Sequence, residues 1–274
     1  MKIFDSFIFY NEIDLLNYRL NILDKYIDKF ILVESKYTFS GKPKKLFYLE
    51  NRHLFENFNS KIIHIVLEDA PFKYPNVNYK KNQQWSNEYF QRIKIIDGIN
   101  KINNINDDDI ILTSDVDEIP NPNILKKIHD NLLDYDRENL NKLALDMYYY
   151  NLNLRLGEGQ NWHGIKLFNY KTLKNLNLTF QQIRVWEHTN HVPIIPSGGW
   201  HLSYFGNVDF IINKIKSYSH QEFNNNNLIN DELQNKIKNG INIIGGMDLI
   251  YVKIDENHNL PKDYDIYLNK YYSL

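Results

Sequence analysis

A mixed α/β fold is what the sequence predicts, on three observations. Short β-branched runs alternate with stretches of helical periodicity through the first 120 residues. Those runs are apolar at successive positions, as in a sheet covered on both faces. One of them ends in a cluster of acids in mid-chain. With 274 residues, 43% of them hydrophobic and 14% aromatic, the chain carries enough apolar surface for one large domain.

The elements follow in order. KIFDSFIF, residues 2 to 9, reads as a buried strand. Asn11 is placed to cap a helix over 12 to 26, whose apolar positions Ile13, Leu16, Leu20 and Leu23 share one face. KFILVES, 29 to 35, is a second buried strand, and strand, helix, strand in that order predicts a right-handed parallel crossover. TFSGKPKKLF, 38 to 47, is loop chemistry around Gly41 and Pro43, and KIIHIVL, 61 to 67, is a third strand. A helix over 82 to 99 runs its apolar face through Trp85, Tyr89, Ile93 and Ile96. DIILTS, 109 to 114, is a fourth strand, with Asp115, Asp117 and Glu118 at its C-terminal end and Pro120 stopping it. Beyond lie a helix over about 122 to 134, an aromatic strand of opposite sense over 142 to 156, and helices over 208 to 219 and 228 to 239. The asparagine run 224 to 227 reads as a loop. Neither a repeat nor a linker divides the chain, so one domain is expected over 1 to 274.

Composition removes several classes of function. A formal charge of -2, from 32 basic and 34 acidic residues, gives no cationic excess for a phosphate backbone, so no nucleic-acid partner is expected. The absence of cysteine excludes disulfides, thiol catalysis and cysteine-bound zinc. No apolar run approaches the roughly 20 residues of a membrane span, and the first residues hold too short a run for a signal peptide. A soluble, cytoplasmic protein without an integral membrane segment is the expectation.

The acidic turn is the strongest chemical signal. Carboxylates at the end of a buried strand are costly unless a cation or hydrogen-bond donors meet them. A hard divalent cation takes one or two protein carboxylates and completes its shell with substrate phosphates and water. Asp115 and Asp117 can both face such an ion where the strand has ended and the backbone bends. Two later segments offer partners. In SGGWHLSYFG, 197 to 206, Gly198 and Gly199 allow close backbone approach, Trp200 offers a stacking face and His201 a ring nitrogen. SYSHQEF, 217 to 223, adds His220 and Glu222.

Taken in order, FYNEIDLLNYRLNIL, DKFILVESKYTFSGKPKKL, WSNEYFQR, SDVDEIP, GGWHLSYFG and SHQE resemble glycosyltransferase family 17. That is the family of the β-1,4-mannosyl-glycoprotein N-acetylglucosaminyltransferases. The resemblance covers about residues 1 to 250. It implies a GT-A fold: a Rossmann-like mixed sheet flanked by helices, with a DxD motif at the end of a central strand. A nucleotide-sugar half would occupy about 1 to 120 and an acceptor half about 121 to 274. It also implies a UDP-sugar donor, UDP-N-acetylglucosamine above all, a manganese or magnesium ion, a glycan acceptor, and inversion to a β linkage.

By the same resemblance Asp115 and Asp117 hold the metal; His201 and His220, placed in reach of that ion by their segments, are its further candidate ligands. Asn11, Glu12 and Glu34 match family positions at the nucleotide end, where a carboxylate accepts from ribose or base donors. Arg92 matches an arginine on the helix before the DxD strand and suits a diphosphate or Glu118. Lys42 and Lys44 would close over the phosphates, and Trp200 would stack on the donor. An inverting transfer needs a base on the acceptor hydroxyl; Glu222, Asp248 and Glu187 are its candidates. Tyr148, Tyr149, Trp162 and Trp186 are further stacking candidates. Two other readings compete: a phosphohydrolase of the haloacid-dehalogenase type, with Asp115 as nucleophile, and a non-catalytic glycan-binding protein.

Overall fold

The computed structural model describes residues 1–272 apart from 158, 189, 226, 227, 230–232 and 247. The chain opens β1 (Ile3–Phe9), α1 (Ile13–Leu23), β2 (Lys29–Ser35), α2 (Phe47–Glu50), β3 (Ile62–Leu67). There follow α3 (Gln83–Ile93), α4 (Ile95–Ile99), β4 (Ile110–Asp115), β5 (Glu118–Pro120) and α5 (Pro122–His129). Then come β6 (Asn141–Tyr149), β7 (Leu154–Leu156), β8 (Lys166–Asn169), α6 (Tyr170–Leu176), α7 (Phe180–Val185) and β9 (Ile194–Ser203). The chain closes with α8 (Val208–Ser217), α9 (Leu233–Lys238), β10 (Leu249–Tyr251) and α10 (Tyr264–Tyr267).

One sheet runs in the order β10-β7-β6-β8-β4-β1-β2-β3, with β9 beside β6 and β5 beside β9. The first half of the chain supplies its parallel part: β4, β1, β2 and β3 are parallel neighbours. The second half adds β8 antiparallel to β4, and β6 antiparallel to β8. The expected mixed α/β sheet flanked by helices, with the acidic turn at the end of a central strand, is what the chain forms. Period-2 alternation builds its two faces. Phe7, Phe30, Leu32, Ile110 and Leu112 enter one core with α1 and α5, whereas Phe4, Ile8, Ile31, Val33 and Ile111 enter another with α4, α6 and α7.

Several expected boundaries move, each for a local reason. Asn11 does not cap α1: the cap position is Glu12, which makes no side-chain cap bond, and among the described residues the buried Asn11 Oδ1 has no partner. The helix expected over 82 to 99 breaks at Lys94 into α3 and α4. The helix after Pro120 stops at His129, because Asn131 turns left-handed. The expected strand 142 to 156 is a hairpin of β6 and β7. Tyr150 takes a positive φ of 65°, and Asn151 Oδ1 accepts from the amides of Asn153 and Leu154, an Asx turn inside an aromatic run. The asparagine run 224 to 227 and the helix 228 to 239 lie partly outside the described residues.

Candidate functional site

A cleft of about 1550 Å³ crosses the C-terminal ends of β1, β2 and β4. Such ends are where open α/β sheets bind ligands. Its floor is the acidic turn, and its walls include Tyr10, Trp85, Arg92, Trp162, Arg184 and Lys214.

A buried arginine holds the turn from beneath. Arg19, on α1, forms a bidentate pair with Asp5 of β1 at 2.6 and 2.7 Å. Its remaining donors reach Ser114 Oγ at 2.7 Å and the carbonyls of Asp115, Val116 and Glu118 at 3.0, 3.2 and 2.7 Å. Both ionic partners are fully buried, and the guanidinium also lies 4.4 Å from the Phe7 ring centroid. A guanidinium paired to one acid, with its other donors satisfied by carbonyls, fixes where the turn's backbone runs.

The three acids then take different partners. Glu118 is almost wholly buried and accepts from the Asp115 amide at 2.9 Å, Trp162 Nε1 at 2.5 Å and both terminal nitrogens of Arg184 at 2.7 Å. Burial alone would raise its pKa, but Arg184 outweighs that and holds the carboxyl below the usual range. Asp115 is clamped between Arg92 Nη1 at 2.8 Å and Arg184 Nη2 at 3.1 Å. Asp117 bonds Lys214 Nζ at 2.7 Å, with His201 Nε2 at 3.6 Å from its other oxygen. Against its burial, Lys214 and then His201 drive its pKa far below the ordinary range, so Asp117 is ionised at neutral pH. Gly164 completes the floor: its carbonyl accepts from Arg184 at 2.5 Å, and Glu118's carboxylate occupies the space a Cβ would need.

The four-ligand metal set Asp115, Asp117, His201 and His220 is not assembled. Among the described residues no three His, Asp or Glu side chains converge as a metal-binding group. Both Asp115 oxygens are taken by arginines, and His220 is exposed, with Nδ1 2.6 Å from Glu222 and its ring edge-on to Trp85 at 4.7 Å. What fits a divalent ion is smaller. Asp117 and His201 present one carboxylate and one imidazole nitrogen to the same space, a donor pair suited to an ion that draws its other ligands from a diphosphate and water. Among the described residues none bonds the buried His201 Nδ1, so none of them fixes the tautomer that Nε2 would need.

The profile of "Glycosyltransferase family 17" matches residues 1–255. The chain belongs to glycosyltransferase family 17. Over 113 residues the family 17 chain is 29% identical to the β-1,4-mannosyl-glycoprotein 4-β-N-acetylglucosaminyltransferases of Homo sapiens and of Rattus norvegicus, 40% of this chain in each case. It spans about a fifth of the length of these curated relatives, the matched part being 20% of each. Among solved structures, the glycosyltransferase GlyE of Streptococcus pneumoniae is 12% identical over 71% of this chain and 45% of its own, with a TM-score of 0.33. An inositol-1-phosphate CTP transferase from T. maritima is 14% identical over 88% of this chain and 98% of its own, with a TM-score of 0.39.

In the family 17 chain the remaining expected residues separate into two groups. Glu12, Arg92, Glu187 and Trp162 line the cleft, as do Asp115, Asp117, His201 and His220. Others are structural or lie elsewhere. Glu34 is fully buried beneath the cleft, accepting from the Tyr48 amide at 2.9 Å and facing His64 at 3.0 Å. Trp200 is buried, and its Nε1 donates to the Asn259 carbonyl at 2.8 Å, so it offers no stacking face. Gly198 and Gly199 approach protein rather than ligand: a Cβ on Gly199 would strike the Ile119 carbonyl, and one on Gly198 the Leu143 side chain. Lys42 lies over the Tyr74 ring, away from the cleft wall.

The three base candidates fare poorly. Glu222 is exposed and off the cleft wall, and Asp248 lines an adjoining depression of about 720 Å³. Glu187 lines the cleft but is locked between Lys142 at 2.7 Å and Lys166 at 2.8 Å. Against its burial those bonds lower its pKa, which makes it a weak proton acceptor. Of the aromatics, Tyr148 is core, Tyr149 is buried against Tyr204, and Trp186 packs on the apolar cluster behind the sheet. Sequence reasoning missed Arg184 and Lys214, whose acidic partners lie 66 and 97 residues away.

Proposed function

We propose that this chain transfers a sugar from a nucleotide donor to a glycan acceptor, with inversion to a β linkage. The donor is UDP-N-acetylglucosamine, by analogy with the relatives' named activity, and a manganese or magnesium ion assists. The observation that carries the reading is the acidic turn of a family 17 chain, opening with Arg92, Arg184 and Lys214 onto a deep cleft across the parallel strand ends. In this reading Asp117 and His201 hold the ion, which neutralises charge on the diphosphate leaving group. Arg184 and Arg92 orient Asp115 while also pairing with Glu118 and Glu88, so charge along this wall is balanced and the ion carries the neutralisation of the diphosphate.

We assign the base to a group inside the cleft. His163 lines it, and burial together with Lys142 lowers its pKa, leaving a neutral imidazole able to accept a proton at pH 7. The phosphohydrolase reading needs a free nucleophile, whereas both Asp115 oxygens are engaged by arginines. The test is release of UDP from UDP-N-acetylglucosamine with a mannoside acceptor and manganese, with product configuration read by NMR. A β product is expected from the wild type, loss of turnover from Asp117→Ala, and retained UDP binding without turnover from His163→Asn. An α product, or undiminished turnover in Asp117→Ala, contradicts the proposal.

A further inference from the structure

The aromatic face of α3, which its periodicity marks for packing inward, is turned toward the cleft instead. The buried side chains of this helix are polar: Gln84, Asn87, Gln91 and Arg92. Asn87 Oδ1 accepts from the Phe72 amide at 2.9 Å, and its Nδ2 donates to the carbonyls of Phe39 and Phe72 at 2.9 and 2.8 Å. Gln91 Nε2 donates to the Tyr37 carbonyl at 3.2 Å. These bonds staple the loops after β2 and β3 to the helix and leave Trp85 and Tyr89 lining the cleft, with Tyr89 39% exposed. Neither ring joins the apolar clusters of the described residues. Aromatic surface held at a cleft in this way marks a binding site rather than a core. The two rings stand 6.2 Å apart at 44°, and His220 meets Trp85 edge-on at 4.7 Å. That histidine is placed in turn, because the hydroxyl of the neighbouring Ser219 donates to Glu88, whose other oxygen accepts from Arg92 at 3.0 Å.

We propose that Trp85 and Tyr89 form the platform on which an uncharged pyranose ring of the acceptor glycan stacks. Three features select that occupant. A pyranose has a face of C–H bonds and a rim of hydroxyls, and beside the rings Asn82 and Ser86 bring an amide and a hydroxyl to the cleft. The Asn82 side chain makes no cap bond with α3. The acid between the rings, Glu88, is already paired to Arg92 and Ser219, which suits a ligand without charge. Trp85, Tyr89 and Arg92 fall on one stripe of the helix, so about 10 Å of axis separates Trp85 from the arginine that clamps Asp115. A glycan laid along that stripe runs from the acidic turn to the exposed Tyr89 at the mouth of the cleft, where its further residues continue into solvent. Such an open position suits a chain end better than the base of the donor. This inference rests on the glycosyltransferase reading above.

The experiment measures transfer from UDP-N-acetylglucosamine by the full chain to mannotriose, chitotriose and lactose, with acceptor and donor KM determined separately. Saccharide binding is read by saturation-transfer NMR and UDP affinity by calorimetry in manganese. Trp85→Ala should raise the acceptor KM about tenfold and weaken saccharide binding in step, while donor KM and UDP affinity stay within about twofold of wild type. Trp85→Phe should recover most of that loss. Tyr89→Ala should raise the acceptor KM several-fold, and it keeps the test alive if Trp85→Ala fails to fold. A higher donor KM or weaker UDP binding, with the acceptor KM unchanged, puts the donor's base on these rings and overturns the proposal. A fall in kcat alone, equal in Trp85→Phe, shows a structural role and overturns it as well. If wild type transfers to one of the saccharides and both alanine variants keep its KM, the platform is wrong and the transferase reading stands. If wild type binds a saccharide without transfer and Trp85→Ala abolishes the binding, the platform stands as a glycan site and the transferase reading fails. If wild type neither binds nor glycosylates any of them, both fall.

Discussion

Asp115 and Asp117 are two positions apart and differently committed, the first to two arginines and the second to a lysine and a histidine. The difference lies in neighbours from α3, α7 and α8, which no local pattern around SDVDEIP contains. Lys44 makes the same point for a base. Its amine lies 5.3 and 5.5 Å from the Tyr10 and Phe47 ring centroids and 3.9 Å from Glu34. Burial, only partly offset by Glu34 and Glu12, lowers its pKa from 10.5 to about 8. Between pH 8 and 10.5 the unfolded chain therefore holds this proton more tightly, so the group's cost to stability shrinks as pH rises through that window. In the folded chain its charge is lost as pH rises through about 8. UDP affinity in the wild type should accordingly fall several-fold from pH 7 to pH 9.5, while Lys44→Arg flattens the profile in a calorimetric series. A wild-type affinity independent of pH would remove Lys44 from the phosphate site.

At the scale of elements, the C-terminal segment acts as a strap over the core that α1 and α5 share with the sheet. The Asn259 carbonyl accepts from Trp200 Nε1 at 2.8 Å and Tyr148 Oη at 3.0 Å, and the Lys262 carbonyl from Tyr18 Oη at 2.8 Å. The Leu152 amide donates to the Tyr271 carbonyl at 3.0 Å. Truncation after residue 256 strips these partners from buried or half-buried donors, each loss costing about 1–3 kcal/mol. A melting temperature lower on the order of 10 °C is expected by calorimetry; an unchanged transition would show that the strap contributes nothing. This strap was illegible in the sequence, since its contacts are backbone carbonyls that any residues could supply. The β1–α1–β2 unit and β4 were legible, because apolar runs with clear period and turn residues at their ends depend on little else. The β6–β7 hairpin was lost for the opposite reason: Asn151 and Asn153 make the turn inside a run whose aromatics read as continuous strand. Likewise the glycines and tryptophan of SGGWH read as ligand-facing, when strand packing against β5 and β6 uses them all.

For the molecule as a whole, the small net charge conceals a concentrated arrangement of charge. Asp117 and Glu118 lie almost wholly inside, matched by Lys214 and Arg184, and their carboxyls titrate below the ordinary range. Their contribution to stability is present above the ordinary carboxyl pKa and is lost as pH falls through the depressed values. Arg92, Arg184 and Lys214 are each already paired to an acid, so the proposed diphosphate donor enters beside balanced charge and needs its accompanying ion. The most direct measurement of that claim is a thermal-shift titration with manganese against a panel of nucleotides and nucleotide sugars. Ligands that bind only the folded state raise the melting temperature by mass action. The account predicts a shift that needs both manganese and a uridine diphosphate species, largest for UDP-N-acetylglucosamine. No shift with any nucleotide in the presence of metal would contradict it.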